Sequence, residues 1–118
     1  MNDPFAHITK APEFPGGDEK FFKFLAFTIK FPSADREQKN SGRVILTFAI
    51  DKDGSVTDEK IVRGVSKTID AEVIRAIKRS PKWQPGARDG HPFKSTVSVP
   101  VSFNTYAGSS ILLGSPQY

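Results

Sequence analysis

The side chains that most often perform catalysis or bind metals are sparse in this sequence and widely separated. Its two histidines, His7 and His91, lie far apart along the chain, and cysteine is absent. Histidine ligands of zinc are usually grouped within about five residues of one another, so this spacing does not predict a metal site. No glycine-rich phosphate loop or nucleophile elbow occurs. We therefore expect a protein that is not an enzyme and that uses no metal or cofactor.

Segment 51–55 (DKDGS) has the alternating carboxylates with which a calcium-binding loop begins. An EF-hand also needs a bidentate glutamate at its twelfth position, and Val62 occupies that position here. Valine offers no oxygen ligand, so calcium binding is not predicted. The glycine instead favours a tight connection between two strands.

A basic cluster precedes the single tryptophan, Trp83, and consists of Arg75, Lys78, Arg79 and Lys82. Clusters of this size are typical of solvated helix faces, and no aromatic pair alternates with this one as in an RNA-binding sheet. Trp83 can either stack on a base or cover a core. Because it follows an amphipathic helix and is flanked by prolines, we predict that it covers the core. Nucleic-acid binding is not expected.

Two helices and a helical turn are predicted. The first helix runs from Glu19 to about Lys30, with Asp18 as its N-cap and a Pro/Gly-rich lead-in before it. Its apolar residues cover more than one face, so either the lead-in and the C-terminal tail cover the second face, or a partner does. A helical turn falls within 33–41. The other helix spans Ile69 to Arg79, capped by Ser66 or Thr68.

Three strands are predicted. Segments 43–51 and 55–63 form a β-hairpin, and Phe93 to Phe103 alternates apolar and polar residues most clearly. Pro100 cannot donate to a strand ladder, so this last strand belongs at a sheet edge or a bulge. Such an edge is a template for a partner's strand, unless Pro100, Lys94 and the tail protect it. The C-terminal tail, 107–118 (AGSSILLGSPQY), is expected to be flexible.

Composition allows one domain. The chain has 118 residues, of which 37% are hydrophobic and 25% charged, with a net charge of +4. We therefore expect a single domain over 1–118, with its core at about 12–106 and a flexible lead and tail. No stretch is apolar enough for a membrane span to be expected, and the pattern of the first residues does not predict a secretory signal. The lack of cysteine leaves the compartment undetermined.

An ordered set of short motifs resembles the TonB C-terminal domain family over about residues 12–106. The motifs are Phe31-Pro32, Gly42-Arg43-Val44, 51–56 (DKDGSV), Val62-Arg63-Gly64, Ile69-Asp70-Ala71-Glu72, Trp83-Gln84-Pro85-Gly86, Gly90-His91-Pro92 and Val99-Pro100-Val101-Ser102-Phe103. The lead Phe14-Pro15-Gly16-Gly17-Asp18 and the Phe-rich helix are similar to a subgroup common in Bacteroidetes-type bacteria.

The resemblance implies a two-layer α+β fold, with a three-stranded antiparallel sheet and helices packed on one face. It implies a periplasmic domain that docks on outer-membrane transporters, where its last strand pairs with the transporter's N-terminal TonB box. Inner-membrane motor proteins would supply force through an N-terminal region, which in the full-length protein would anchor the domain to the inner membrane. A homodimer is also expected, because the same edge can pair with its own copy.

By position, the resemblance assigns partner binding to the last strand and to segment 33–37. The expected contact residues are Ser33, Arg36, Glu37, Lys94, Thr96, Ser98, Pro100 and Ser102. Arg36 replaces the glutamine of the best-known members. The alternative interpretation is that the chain is a structural or self-associating domain of a membrane sensor or secretion protein. A small hydrolase is the third hypothesis.

Overall fold

Two antiparallel sheets and three helices make up the fold in the computed structural model, which describes residues 9–105 and 110–118. The elements, in chain order, are β1 (Thr9–Lys10), α1 (Asp18–Thr28), α2 (Ser33–Glu37), β2 (Gly42–Ile50), β3 (Val56–Arg63), α3 (Lys67–Lys78), β4 (Gly86–Arg88), β5 (His91–Phe93), β6 (Ser95–Asn104) and β7 (Ser110–Leu113). The predicted α+β class with antiparallel pairing is confirmed.

The main sheet has four strands in the order β3-β2-β6-β7. The hairpin β2–β3 is where the sequence predicts it, and β6 pairs with β2 along its full length, from Gly42 opposite Phe103 to Ile50 opposite Ser95. The predicted count of three strands is too low, because the tail adds β7 on the outer side of β6. The sequence predicts no strand at 110–113, and the structure forms one there. Four half-apolar residues are enough to pair when a complementary edge lies beside them.

A single layer of apolar side chains fills the space between the main sheet and the helices. On α3, the residues spaced at i, i+4, i+7 and i+8 are all fully buried, namely Ile69, Val73, Ala76 and Ile77. Ser66 caps this helix, since its Oγ accepts a hydrogen bond from the Ile69 N–H at 3.1 Å. These residues meet the inward side chains of β2 and β6, which are Val44, Leu46, Phe48, Ile50, Val97, Val99, Val101 and Phe103.

Helix α1 covers the rest of the core through Phe21 and Leu25, which are both fully buried. Its N-cap is Gly17, not Asp18, because Gly17 adopts a φ of 90° that lets the chain enter the helix. Asp18 becomes the first helical residue, where its charge suits the helix dipole. Phe14 of the lead-in packs on Phe21 and also on Phe24, with ring centroids 5.5 Å apart in the second pair, so the lead-in does cover part of the second face.

Trp83 covers the core, as predicted, and only 3% of it is exposed. Its ring lies edge-on to Phe14, Phe21 and Phe48, with centroids 4.9 to 5.6 Å apart. Its Nε1 donates to Ser80 Oγ at 2.9 Å, so the one polar atom of the ring has a partner. The backbone of Trp83 also binds the hairpin turn, since its N–H donates to the Gly54 carbonyl at 2.8 Å.

The second sheet is small and has the order β1-β4-β5. It accounts for one difference from the sequence prediction, in which Phe93 to Phe103 is one strand. The chain turns at Lys94, so that β5 joins the small sheet and β6 joins the main one. Among the helices of the described segments, none is both long and apolar enough to cross a bilayer.

Candidate functional site: the outer edge of strand β6

Strand β6 presents a row of backbone groups on the side that faces away from β2. In an antiparallel strand, the N–H and C=O of one residue point to the same side, and the side alternates along the chain. The outward groups belong to Ser98 and Pro100, as their contacts with the tail show, and by alternation to Thr96, Ser102 and Asn104. The missing N–H of Pro100 therefore falls on the outer side. A proline here costs no bond to β2.

The C-terminal tail occupies this edge. Strand β7 pairs with β6 from Val101 opposite Leu113 to Asn104 opposite Ser110. Farther along, the Gly114 N–H donates to the Pro100 carbonyl at 2.9 Å, and Ser98 and Gln117 exchange two backbone bonds of 2.8 and 2.7 Å. Protection of the edge by the tail was one of two possibilities open from the sequence, and in the structure the tail covers the edge from Ser98 to Asn104.

The tail is held by a modest apolar contact. Ile111 and Leu113 are half-buried on the helix side, where they extend the inner face of the sheet next to Phe22 of α1. Leu112 points the other way and is 62% exposed. The last residue, Tyr118, donates from its hydroxyl to Asp18 at 2.8 Å. Segments with few buried apolar contacts open more easily than core strands do, so we expect the tail to leave the edge before the sheet unfolds.

The predicted contact residues in β6, and Lys94 just before it, differ in their exposure. Ser98, Pro100 and Ser102 are half-buried on the sheet face that the helices do not cover, and Thr96 is exposed just before the last tail bridge. Lys94 is exposed and forms an ion pair with Asp58 at 2.7 Å, and hydrogen bonding to that carboxylate raises the pKa of Lys94. An exposed pair of this kind is worth little to stability.

Segment 33–37 forms the short helix α2, on which Ser33, Arg36 and Glu37 are exposed. The residue between them that sequence reasoning missed is Asp35, which is only 1% exposed. Its carboxylate accepts hydrogen bonds from Ser66, Thr68 and Asn40 side chains, at 2.7, 2.6 and 2.9 Å.

Asp35 fixes the position of α2 through these bonds. Burial alone would raise the pKa of its carboxyl, but the hydrogen bonds from Thr68, Ser66 and Asn40 together outweigh burial and hold the pKa below its usual range. The charged carboxylate thereby fastens α2 to the start of α3. No local sequence signal marks this role, because two of the partners lie more than thirty positions away.

The predicted contact residues do not converge on one spot. Helix α2 leads into β2 at the end where β6 finishes, as the bond between Ser41 Oγ and Thr105 Oγ1 at 2.7 Å indicates. Lys94 lies at the opposite end of β6, about 30 Å away for a ten-residue strand. Ser102 and α2 therefore share one end of the sheet, whereas Lys94 and Thr96 lie at the other.

The opposite edge of the main sheet is poorly suited to accept a strand. Pairing of β3 with β2 is broken by two irregularities, between Ile45 and Leu46 and between Thr47 and Ala49. Asp58 adopts a positive φ of 55° at one of them. Bulges and charged residues on an edge strand are common devices against strand addition.

Among the described residues, no group of three or more His, Asp or Glu side chains is placed to hold a metal ion.

Comparisons with known proteins agree with this architecture. A family model described as the Gram-negative bacterial TonB protein C-terminal matches residues 28–105. A comparison with curated protein sequences gives no match.

Two solved structures have a similar fold, and both are NMR solution structures of the Helicobacter pylori TonB C-terminal domain. Each is 22% identical to this chain with a TM-score of 0.56. For the shorter domain (residues 194–285), the similarity covers 75% of this chain and 92% of that domain. For the longer one (residues 179–285), it covers 73% of this chain and 78% of that domain. At this identity the likeness shows a shared fold.

Proposed function

Since the chain belongs to the TonB C-terminal domain family, we propose that it is a periplasmic peptide-binding module that transmits force to outer-membrane transporters. In this proposal, the N-terminal TonB box of a transporter adds to β6 as an extended strand. No chemical step is involved. The domain binds and pulls, and main-chain hydrogen bonds carry the load.

The observation that supports this proposal best is the ladder between β6 and the tail. An extended segment of ordinary sequence, 110–117, already pairs with the outward backbone groups of β6 from Ser98 to Asn104. Main-chain pairing depends little on side-chain identity, so a peptide of similar length can make the same bonds. The bulged edge of β3 offers no comparable row.

A transporter peptide would have to replace the tail in order to pair with β6. The outer side of β7 is itself an edge of the main sheet, but β7 has only four residues and offers few bonds. When a peptide replaces the tail, the number of main-chain hydrogen bonds to β6 stays nearly constant. Any net gain in binding free energy therefore comes mainly from the side-chain contacts of the peptide. We therefore expect weak binding, because the peptide also loses conformational entropy on ordering.

In the same proposal, α2 contacts the transporter beside the last residues of β6. Ser33, Arg36 and Glu37 are exposed there, while Asp35 holds the helix in place from below. The peptide would pass Ser102 and Pro100 first and reach Thr96 and Lys94 at the far end. Force from inner-membrane motor proteins would enter through an N-terminal region that anchors the protein to the inner membrane.

The experiment is a titration of the ¹⁵N-labelled chain with peptides copied from transporter N-termini, followed by amide shifts. We expect shifts along 95–104 and 33–37, together with shifts in 110–117 toward positions typical of unpaired backbone as the tail is released. A scrambled peptide with the same composition is the control. Shifts confined to α3 would contradict the proposal.

A further inference from the structure

A cleft of about 640 Å³ lies between the end of α1 and the outer face of α3, away from the edge of β6. Phe24, Phe27, Lys30, Glu72, Arg75 and Arg79 line it. The family match begins at residue 28, so nearly all of α1, which supplies one wall, lies outside the matched segment. One wall of the cleft therefore lies largely outside the segment that the family model matches.

A charged clamp fixes the walls of the cleft. Arg75 binds Glu72 through two hydrogen bonds, Nε to Oε1 at 2.7 Å and one terminal nitrogen to Oε2 at 2.8 Å. The same Arg75 nitrogen donates to the Thr28 carbonyl at 2.8 Å, and the Lys30 N–H donates to Glu72 Oε2 at 2.6 Å. Arg75 and Glu72 thus fasten the end of α1 to α3, and the cleft is formed before any ligand arrives.

One wall carries an apolar side chain with no cover. Phe27 is 89% exposed, whereas Phe21 and Leu25 on the opposite side of α1 are fully buried. Removing an exposed phenyl ring from water is favourable in free energy, and exposed rings beside a cleft are typical of interaction surfaces. Phe24, one turn earlier, is half-buried and continues the apolar wall.

The other lining groups make the cleft cationic. Glu72 binds Arg75 and also interacts with the charge of Lys30, so one carboxylate faces three cations. The excess positive charge of the lining is carried by the side chains of Lys30 and Arg79. Both are exposed, and neither forms an ion pair with any residue in 9–105 or 110–118. A ligand that complements this cleft combines carboxylates with an apolar ring.

We propose that the cleft binds an acidic peptide segment of a partner protein, with an aromatic side chain of that segment packed on Phe27. Its carboxylates pair with Lys30 and Arg79, and the ring contact sets its register. A narrow segment can enter the concave space between the helices, whereas a flat lipid surface contacts only its rim. This second interaction surface is independent of strand addition at β6.

The test uses the ¹⁵N-labelled full chain and a synthetic end-capped heptapeptide, Gly-Asp-Glu-Trp-Glu-Asp-Gly. We expect amide shifts at 24–30 and 74–79 and none along β6. Phe27→Ser and Arg79→Gln should each weaken binding at least about fivefold, the loss typical of a residue central to an interface. Val62→Ser and Lys60→Gln are the matched controls, exposed on β3, and should change the dissociation constant less than about twofold.

The charge requirement is tested with a second peptide in which lysines replace the four acidic residues. Absence of binding by this peptide supports the proposal, and equal binding overturns it. Equal binding of the acidic peptide to the parent chain and to Phe27→Ser and Arg79→Gln also overturns it. The proposal is also overturned if the parent chain does not bind the acidic peptide but binds phosphatidylglycerol vesicles, and if Phe27→Ser and Arg79→Gln weaken that vesicle binding.

Discussion

Gly114 lies directly against Pro100, and the pair joins the tail to the edge of β6. The Gly114 N–H donates to the Pro100 carbonyl at 2.9 Å, while Pro100 has no N–H to return. A Cβ at position 114 would overlap Cγ of the Pro100 ring. The tail therefore crosses the proline at a residue that has no side chain. This fit makes position 114 the point at which the tail can be detached selectively.

We expect Gly114→Val to displace the tail and to strengthen binding of a TonB-box peptide. If the tail-free state is about 10% populated in the parent chain, full release should lower the apparent dissociation constant about tenfold. Amide-shift titration measures this change. Ser115→Val adds similar bulk at the next residue, which is exposed, and should leave affinity near that of the parent. Unchanged affinity in Gly114→Val would mean that the tail does not compete with the peptide.

Trp83→Ala should lower the free energy of unfolding by about 3 to 5 kcal/mol, the range for truncation of a buried aromatic residue. The substitution removes the ring that lies against Phe14, Phe21 and Phe48 and leaves a cavity between the lead-in, α1 and β2. Urea denaturation provides the measurement. Ser80→Ala isolates the hydrogen bond from Nε1 and should cost only about 1 kcal/mol. A loss below about 1 kcal/mol for Trp83→Ala would show that the ring does not support the core.

Asp35→Asn should destabilise the protein near neutral pH by about 1 to 3 kcal/mol, because it removes a charged acceptor of three partly buried hydrogen bonds. Glu37→Gln, an exposed carboxylate on the same helix, serves as the control and should have little effect.

The effect of Asp35 on stability should also depend on pH. Its folded pKa is lowered, so the unfolded chain binds the proton more readily than the folded one. The stabilisation is therefore complete above the unfolded pKa of about 3.9 and is lost as pH falls through the lower, folded pKa. Denaturation curves of the parent and of Asp35→Asn should converge as pH falls below about 4. A difference that is constant down to low pH would contradict the assignment.

The periodic parts of this fold were predictable from the sequence. The apolar spacing of α3 and the alternation in β6 each reflect contact with one continuous core, so pattern and burial agree residue by residue. Gly17 was missed as the N-cap because a glycine cap leaves no side-chain signal. The turn at Lys94 was missed because alternation continues through it while the partner strand changes.

The site was only partly predictable, for a physical reason that concerns the tail. Pro100 indicated correctly that β6 lacks a donor on the side away from β2, since its missing N–H falls there. The prediction of an edge strand is wrong, because the tail pairs on that side and places β6 between β2 and β7. The segment that pairs there is the tail, which is only weakly apolar. Its pairing depends on its proximity to β6 in the folded chain, and a local sequence pattern does not indicate that proximity. Phe27 shows the opposite case. The excess of apolar residues on α1 left a partner as one of two readings, and the lead-in and tail cover other residues while Phe27 stays exposed.

Strand addition at β6 can be tested through the backbone alone with Ser98→Pro. The Ser98 N–H points outward, where it donates to Gln117, so a proline there removes no bond to β2. Pro100 already occupies an equivalent outward position in the same strand, and the main sheet tolerates it. The substitution weakens the tail as well, so the comparison is made between Gly114→Val and the double variant Gly114→Val/Ser98→Pro. Loss of one main-chain bond should weaken peptide binding about fivefold in that pair.

The same pair of variants decides whether copies of the chain associate through this edge. With the tail displaced in Gly114→Val, the bare β6 can pair with β6 of a second copy about a two-fold axis, and sedimentation velocity should detect more dimer at high concentration. Ser98→Pro removes a donor from both copies at once, so the dimer should decline more steeply than peptide binding does. Circular dichroism of the double variant checks that the sheet persists. If the folded double variant binds peptide and dimerises as Gly114→Val does, neither contact uses the edge of β6.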